Sequence, residues 1–469
     1  MAVIVFVAFV LAVPLLMKWH HPILVLSWNA CINPVMLPGQ PQIWIPVAAA
    51  SLIFALLNRA VDPDSRFIYV PSLVNPLLFL AAVLFMTAWA RGGIGLRVIG
   101  SAHYGGKNYV FLFIAVVGYF AFTSQRIAPE KASLYIGMFF LSSLTGLIPN
   151  IVYKLGPSFY SLFYLFPAGA AIDQVKADYA LGPGVFRLLG LPFVGIALHS
   201  YILARHGIKG TLDLSRPWRF LCLAIALVCF AGSGFRGAVI GSTLTFCVLF
   251  YFEGLHRTKL LPLLLVFTLV AVAALVPFTD KLPWVVQRTI SFLPVKVDPF
   301  VRRDAQASTE WRLEVWKQSL PLIPKYLLLG KGYSLNPNEL SLEVTRGGLA
   351  ITPEAIEMTN DYHNGPLSLI IPLGIWGAIG FLWFVGAAGW YLYNSYRHGD
   401  PQLQHVNTFL WALFLTKVVF FCTVFGSFHT DFYVFTGMVG LSVSLNGRPE
   451  TAVESEATEP EQPALEAFS

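Results

Sequence analysis

The chain has 469 residues, of which 56% are hydrophobic and only 12% charged, with a mean hydropathy of +0.66 and a formal net charge of +6. A soluble domain carries about 25% charged residues, so this composition excludes a water-soluble fold. The apolar runs are continuous and about 20 residues long, enough to cross a hydrocarbon layer of about 30 Å as a helix, and they lack the alternation of a membrane barrel.

The sequence therefore predicts an all-α polytopic membrane protein with about twelve transmembrane helices. In chain order the expected spans are Ala2–Met17, Gln42–Leu57, Val70–Ala90, Tyr109–Thr123, Ala132–Tyr153, Phe186–Ala204, Pro217–Gly232, Ala238–Phe252, Leu260–Val276, Pro366–Tyr393, Val406–Phe425 and Phe432–Leu445. The first apolar stretch has no basic region before it and no clear cleavage site, so it reads as a retained span. His21–Leu37 is ambiguous, because Asn29, Asn33 and Pro34 interrupt an otherwise apolar run. Three short basic turns, around Arg205–Arg219, Arg257–Lys259 and Arg397–His398, alternate as one side of a membrane would and mark the cytoplasm.

Four regions follow. Residues 1–276 form the first part of the bundle, 277–364 a large outer loop, 365–445 the last three spans, and 446–469 a tail. The tail holds six Glu and one Arg and reads as disordered, acidic and cytoplasmic. The loop is different: ten acidic residues balance ten basic ones, and Trp284, Trp311, Trp316, Tyr326 and Tyr333 give it material for a core. Ser308 or Thr309 is expected to cap an amphipathic helix with Glu310 in its first turn. Leu313, Trp316 and Leu320 would share its apolar face, with Arg312 beside that face.

Basic residues are spread over the loops, so the charge does not point to nucleic acid. The five cysteines lie in or beside apolar runs and form no CxxC pair. There is no phosphate-binding glycine loop and no His/Cys spacing that suits a metal. Asp62-Pro63-Asp64 resembles a carboxylate pair but reads as a turn.

The candidate chemistry lies at the outer side. His363, between Asp361 and Asn364 at the mouth of a span, is either a capping residue or a base able to exchange a proton near neutrality. Arg236 sits in the tight hairpin Gly232-Ser-Gly-Phe-Arg-Gly237. It either snorkels to the interface or points into a cleft where Arg312 and Arg288 converge. Several guanidinium forks around one cavity match phosphate oxygens. Arg91, Arg97 and Lys107 lie in a glycine-rich outer loop without a carboxylate, which is an anion site or a departure from the charge rule. Lys417, inside a span, is a substrate contact or half of a buried pair.

Taken together, four pieces resemble the bacterial O-antigen ligase/O-antigen polymerase family. They are the Ser-Gly-Phe-Arg-Gly hairpin, Trp311-Arg312…Trp316, Leu329-Gly-Lys-Gly-Tyr333, and His363-Asn364-Gly365 leading into Leu373-Gly-Ile-Trp-Gly377. Their order and spacing cover about Arg219–Gly380. The resemblance implies a multi-pass glycosyltransferase of the bacterial inner membrane with its active site facing the periplasm. Its partners would be a glycan on undecaprenyl pyrophosphate as donor, lipid A–core or another glycan as acceptor, and the lipid bilayer. It further implies a metal-free, cofactor-free inverting reaction. By motif His363 would be the base, and Arg236 and Arg312 would bind the pyrophosphate. Phe235 departs from the small or polar residue usual before that arginine. Arg288, Arg91, Arg97, Lys107, Asn364 and Lys417 are substrate-binding candidates on charge or position alone. Two alternatives stay open: a repeat-unit polymerase, and a transporter or flippase for the same lipid, which would show internal repeats and charges near the midplane.

Overall fold

A computed structural model describes residues 2–62, 66–93, 105–172, 174–175, 187–334, 360 and 362–448. Sixteen α-helices are used below: α1 (Ala2–Ser27), α2 (Trp44–Val61), α3 (Pro71–Arg91), α4 (Gly106–Phe122), α5 (Ala132–Leu141), α6 (Ile148–Leu155), α7 (Gly190–Thr211), α8 (Pro217–Ala231), α9 (Arg236–Phe252), α10 (Leu260–Leu275), α11 (Trp284–Ile290), α12 (Pro299–Ser319), α13 (Leu322–Tyr326), α14 (Gly365–His398), α15 (Gln404–Thr423) and α16 (Phe428–Asn446). No strand occurs among the described residues. Six helical segments there are long and apolar enough for a crossing: Trp44–Val61, Pro71–Arg91, Pro129–Leu155, Leu260–Lys281, Gly365–His398 and Pro401–Thr423. Shorter apolar helices accompany them at Gly106–Phe122, Pro217–Ala231 and Arg236–Phe252. The protein is an all-α polytopic membrane protein.

The main core gathers around Trp28, which is fully buried. Its ring meets Phe122 at 4.9 Å, Trp44 at 5.0 Å and Tyr433 at 6.0 Å, and its Nε1 donates to the Tyr433 carbonyl at 3.2 Å. Gly118 of α4 and Gly437 of α16 flank the indole so closely that a Cβ at either would enter the ring. Small residues thus let the helices close around one large side chain.

The expected first span, Ala2–Met17, is corrected. Helix α1 continues unbroken to Ser27, so the ambiguous segment from His21 begins as helix. The two imidazoles are buried rather than marking a loop. His20 Nδ1 meets Ser51 Oγ at 2.8 Å, and its Nε2 faces the amide nitrogens of Gln125 at 3.0 Å and Asn58 at 3.4 Å. His21 Nε2 donates to the Phe122 carbonyl at 2.9 Å. These partners give two neutral tautomers that tie α1 to α2 and α4. The fifth expected span, Ala132–Tyr153, is also broken: α5 and α6 are joined by a 3₁₀ segment, Ser142–Leu147.

Helix α14 positions the site. It runs over 34 residues, Gly365–His398. It breaks at Gly374 (φ 67°, ψ −166°). The break frees backbone groups, and the loop segment Leu327–Tyr333 takes them up. Lys331 N–H donates to the Ile371 carbonyl (2.8 Å), Gly332 N–H to Pro372 (2.9 Å), and Ile375 N–H to the Leu327 carbonyl (2.6 Å). Two further anchors come from the bundle: Arg91 Nε donates to the Gly330 carbonyl at 2.8 Å, and the Tyr109 hydroxyl accepts from Tyr333 N–H at 3.1 Å. Backbone polar groups in an apolar region must be satisfied internally, so this docking completes the broken helix.

Gly330 has a φ of 67°, and a Cβ there would collide with the Pro372 carbonyl, whereas Gly156, at φ 92°, faces open space. Gly330→Ala should therefore cost about 2 kcal/mol or more, against about 1 kcal/mol for Gly156→Ala. Thermal unfolding of the detergent-solubilised variants measures this, and equal midpoints would mean that the docking is not required for stability.

Candidate functional site

The loop helices begin earlier than expected. Helix α12 starts at Pro299 behind Asp298, whose carboxylate accepts from Phe300 N–H at 2.8 Å. An Asp N-cap followed by Pro at the first helical position is a strong start signal, and it displaces the expected cap at Ser308 or Thr309. Thr309 lies in mid-helix, its hydroxyl bonded to the Ala305 carbonyl at 3.2 Å.

The helix also presents a protein-facing side besides the expected apolar face. Leu313 and Leu320 are exposed, while Val315 and Ser319 are buried. Val315, Leu322, Tyr362, Leu367 and Ile371 form a small second core, with Trp311, Trp316, Ile323 and Tyr326 packed against it. Trp316 Nε1 donates to the Tyr362 carbonyl at 3.1 Å. This core holds α12 and α13 against the start of α14, and so against His363.

The hairpin between α8 and α9 is built from Ser233 and Gly234. The Ser233 hydroxyl donates to the Phe230 carbonyl (2.7 Å) and accepts from Phe235 N–H (3.1 Å), while Gly234 adopts a φ of 76°. Arg236 then becomes the first residue of α9 and reaches across to α12. Its Nη2 donates to the Ala305 carbonyl at 3.1 Å and meets Thr309 Oγ1 at 3.4 Å. Phe235 carries the Arg187 guanidinium 5.6 Å above its ring.

Arg288, on α11, is 3% exposed. Its Nε pairs with Asp304 of α12 at 2.5 Å, and its Nη1 donates to the Gly234 carbonyl at 2.9 Å. Its Nη2 is buried and has no hydrogen-bond partner among the described residues. Arg288, Arg312 and Arg187 all act electrostatically on Arg236, and only Asp304 opposes them. Burial, and then the charge of Arg288, lower the pKa of Arg312 from its ordinary value. Among the described residues the cluster is rich in positive charge, with Asp304 the carboxylate that opposes it.

Arg312 follows Thr309 by one turn, with its guanidinium carbon 5.9 Å from the centre of the Phe425 ring. The His363 imidazole lies 5.1 Å from the same ring and 4.7 Å from Trp311. The two distances to Phe425 added together bound the separation of Arg312 and His363 at about 11 Å. His363 has a φ of 47°, a left-handed conformation uncommon outside glycine that warrants a functional explanation.

Of the sequence candidates, Arg236, Arg288, Arg312 and His363 are thus brought together. Asn364 is the N-cap of α14, its side chain accepting from Leu367 N–H at 3.1 Å. Arg91 is engaged with Gly330, and Lys107 lies 5.4 Å over the Phe111 ring. Lys417, in α15, lies in the field of Asp431 of α16. Arg97 and Asp361 fall outside the described residues, as do Pro63-Asp64 and most of the tail. Asp304, Trp311, Phe425 and Arg187 were not singled out from the sequence as members of the site. Trp311 was signalled by its neighbour Arg312, whereas Phe425 and Arg187 come from distant turns and gave no local sign.

Residues 221–382, from α8 to the middle of α14, match the family model described as O-antigen ligase. Over that stretch the chain is similar to O-antigen ligases. The match contains Arg236, Arg288, Arg312 and His363, and agrees with the motifs read over Arg219–Gly380. Comparison with curated proteins gives no match. The O-antigen ligase family supports a membrane glycosyltransferase in general terms.

Arg288 fastens the hairpin to α12. Arg288→Met should lose about 2–4 kcal/mol, because it strips partners from Asp304 and the Gly234 carbonyl. Asp304→Asn should lose less, about 1–2 kcal/mol, since Asp304 is partly exposed. Thermal unfolding of both variants tests the clamp, and wild-type midpoints for the pair would remove it.

Proposed function

We propose that this protein transfers a glycan from undecaprenyl pyrophosphate to an acceptor hydroxyl on the membrane face that carries the hairpin, the periplasmic face of a bacterial inner membrane. The observation that carries the reading is the buried, partnerless Nη2 of Arg288 among positively charged neighbours. A buried donor without an acceptor costs free energy, and an anionic oxygen brought to it would satisfy it. Several guanidiniums against one carboxylate suit a ligand with more than one negative charge. Bidentate N–H forks match phosphate geometry.

In this reaction Arg236, Arg288 and Arg312 hold the pyrophosphate. The neutral His363 ring takes the proton of the acceptor hydroxyl as its oxygen attacks the anomeric carbon. The new carbon–oxygen bond forms as the bond to the pyrophosphate oxygen breaks, and the electron pair leaves with the pyrophosphate. Attack opposite the leaving group inverts the anomeric centre. The fixed guanidiniums stabilise the charge that builds on the leaving oxygen. Trp311 and Phe425 flank His363 and limit its motion. Lipid A–core is the acceptor that suits a ligase, and a growing repeat unit is the one that suits a polymerase.

With purified protein in lipid nanodiscs and a lipid-linked glycan donor, His363→Ala should slow transfer by about 10²–10⁴-fold, the usual worth of a general base. Arg236→Ala and Arg312→Ala should each cost about 10²-fold or more in kcat/KM. Arg312→Lys should remain well below wild type, because an ammonium lacks the planar fork. Thermal unfolding run alongside separates lost chemistry from lost folding. Wild-type transfer by all three alanine variants would end the assignment.

A further inference from the structure

Behind the hairpin, between α6 and the residues leading into α7, lies a pocket of about 340 Å³ that is open on one side. Leu147, Ile151, Leu155, Leu188 and Leu191 give it an almost wholly apolar wall, and Lys154 also lines it. The other two lining residues, Asn150 and Gln174, are polar but engaged. The Asn150 amide donates to Gln174 Oε1 at 2.9 Å, and its oxygen accepts from Gly190 N–H at 3.1 Å. The walls therefore favour hydrocarbon over water, which needs polar partners to enter a cavity.

The pocket is coupled to the arginine cluster through the backbone. Leu188, in its wall, donates its N–H to the Ser233 carbonyl of the hairpin at 3.2 Å. The residue before it, Arg187, lies over Phe235 and acts electrostatically on Arg236. On the opposite side Ile151 and Leu155 are exposed. They belong to the segment Pro129–Leu155, which is long and apolar enough to cross the membrane, so they border the bilayer. A hydrocarbon chain entering past them would run along apolar wall and end at positive charge. We propose that this pocket seats the first isoprene units of the donor's polyprenyl chain, whose pyrophosphate the arginines hold. The proposal rests on the glycosyl-transfer reading above and adds where the lipid lies.

The test uses the full chain in nanodiscs and a polyprenyl phosphate with a photoactivatable group close to the phosphate. Crosslinks are expected within residues 147–155 and 188–191. Ile151→Trp and Leu191→Trp should each reduce them about tenfold, which corresponds to about 1.4 kcal/mol of binding. Ile151 lies at the exposed mouth, so its replacement leaves the fold intact, as thermal unfolding would verify. Excess phosphatidylglycerol should leave the labelling unchanged. Crosslinks spread over all lipid-facing helices, displacement by phosphatidylglycerol, or wild-type labelling in a folded Ile151→Trp would each overturn the pocket. Transfer from the lipid-linked donor is measured on the same samples. Labelling without any transfer would sink the glycosyl-transfer reading and leave the pocket standing, while transfer without labelling would sink the pocket alone.

Discussion

The site depends on one buried guanidinium. Arg288 joins three separate pieces of chain: its own short helix α11, the Gly234 carbonyl of the hairpin, and Asp304 of α12. A charge taken out of water costs several kcal/mol unless it is paired and hydrogen-bonded, and this arginine has both kinds of partner on two of its three nitrogens. The cost of burial therefore acts as a constraint. The hairpin and α12 must stay where Arg288 finds them, which brings Arg236 within reach of Ala305 and Thr309. Asp304 compensates one positive charge, and among the described residues the remainder of the cluster is unbalanced.

The other half of the site rests on a different constraint, the satisfaction of backbone groups. Gly374 breaks α14, and the segment around Gly330 and Gly332 pairs with the freed groups. That pairing brings the end of α13 against α14, where Trp316, Val315 and Tyr362 form the second small core. Its result is a stable position for His363 at the helix mouth. Helix α12 belongs to both halves: its first part receives Arg236 and Arg288, and its second part packs Trp311 against His363. A change in the angle of this one helix would move the arginines and the imidazole relative to each other. The rigidity of α12 therefore bears directly on the proposed reaction.

Much of this was legible in the sequence, for physical reasons that also explain what was not. Helical spans are visible because a bilayer demands long apolar runs, and the order of the hairpin, the Trp-Arg segment and the His-Asn-Gly entry pointed to Arg236, Arg312 and His363. The protein-facing side of α12 was not legible, because hydrophobic periodicity has two meanings beside a membrane. Leu313 and Leu320 are exposed, whereas Val315 faces protein, and a leucine that meets lipid looks the same in sequence as one that meets a core. The start of α12 was misplaced because Thr309-Glu310 has the form of a cap while Asp298-Pro299 supplies a better one eleven residues earlier. The burial of His20 and His21 was not legible, because their partners on α2 and α4 lie far away in sequence. Asp304 was passed over for the same reason: its importance comes from Arg288, sixteen positions earlier.

The distribution of charge also weighs on the transporter alternative. A carrier that alternates access places its polar groups near the membrane midplane, between repeats. Lys417 was the one residue that hinted at this. It lies six positions before the end of α15, about 9 Å along the helix at 1.5 Å per residue. It feels Asp431, in the first turn of α16. The turn between these two helices carries Phe425, which touches both Arg312 and His363. Lys417 and Asp431 therefore belong to the same end of the bundle as the arginine cluster. Asp431 also accepts from Ser427 N–H at 2.7 Å, so it caps α16 while its charge offsets that of Lys417. A pair engaged in this way stabilises the turn that presents Phe425. Lys417 and Asp431 thus join the arginine cluster at one face, an arrangement that favours chemistry at a fixed surface over passage through the bundle.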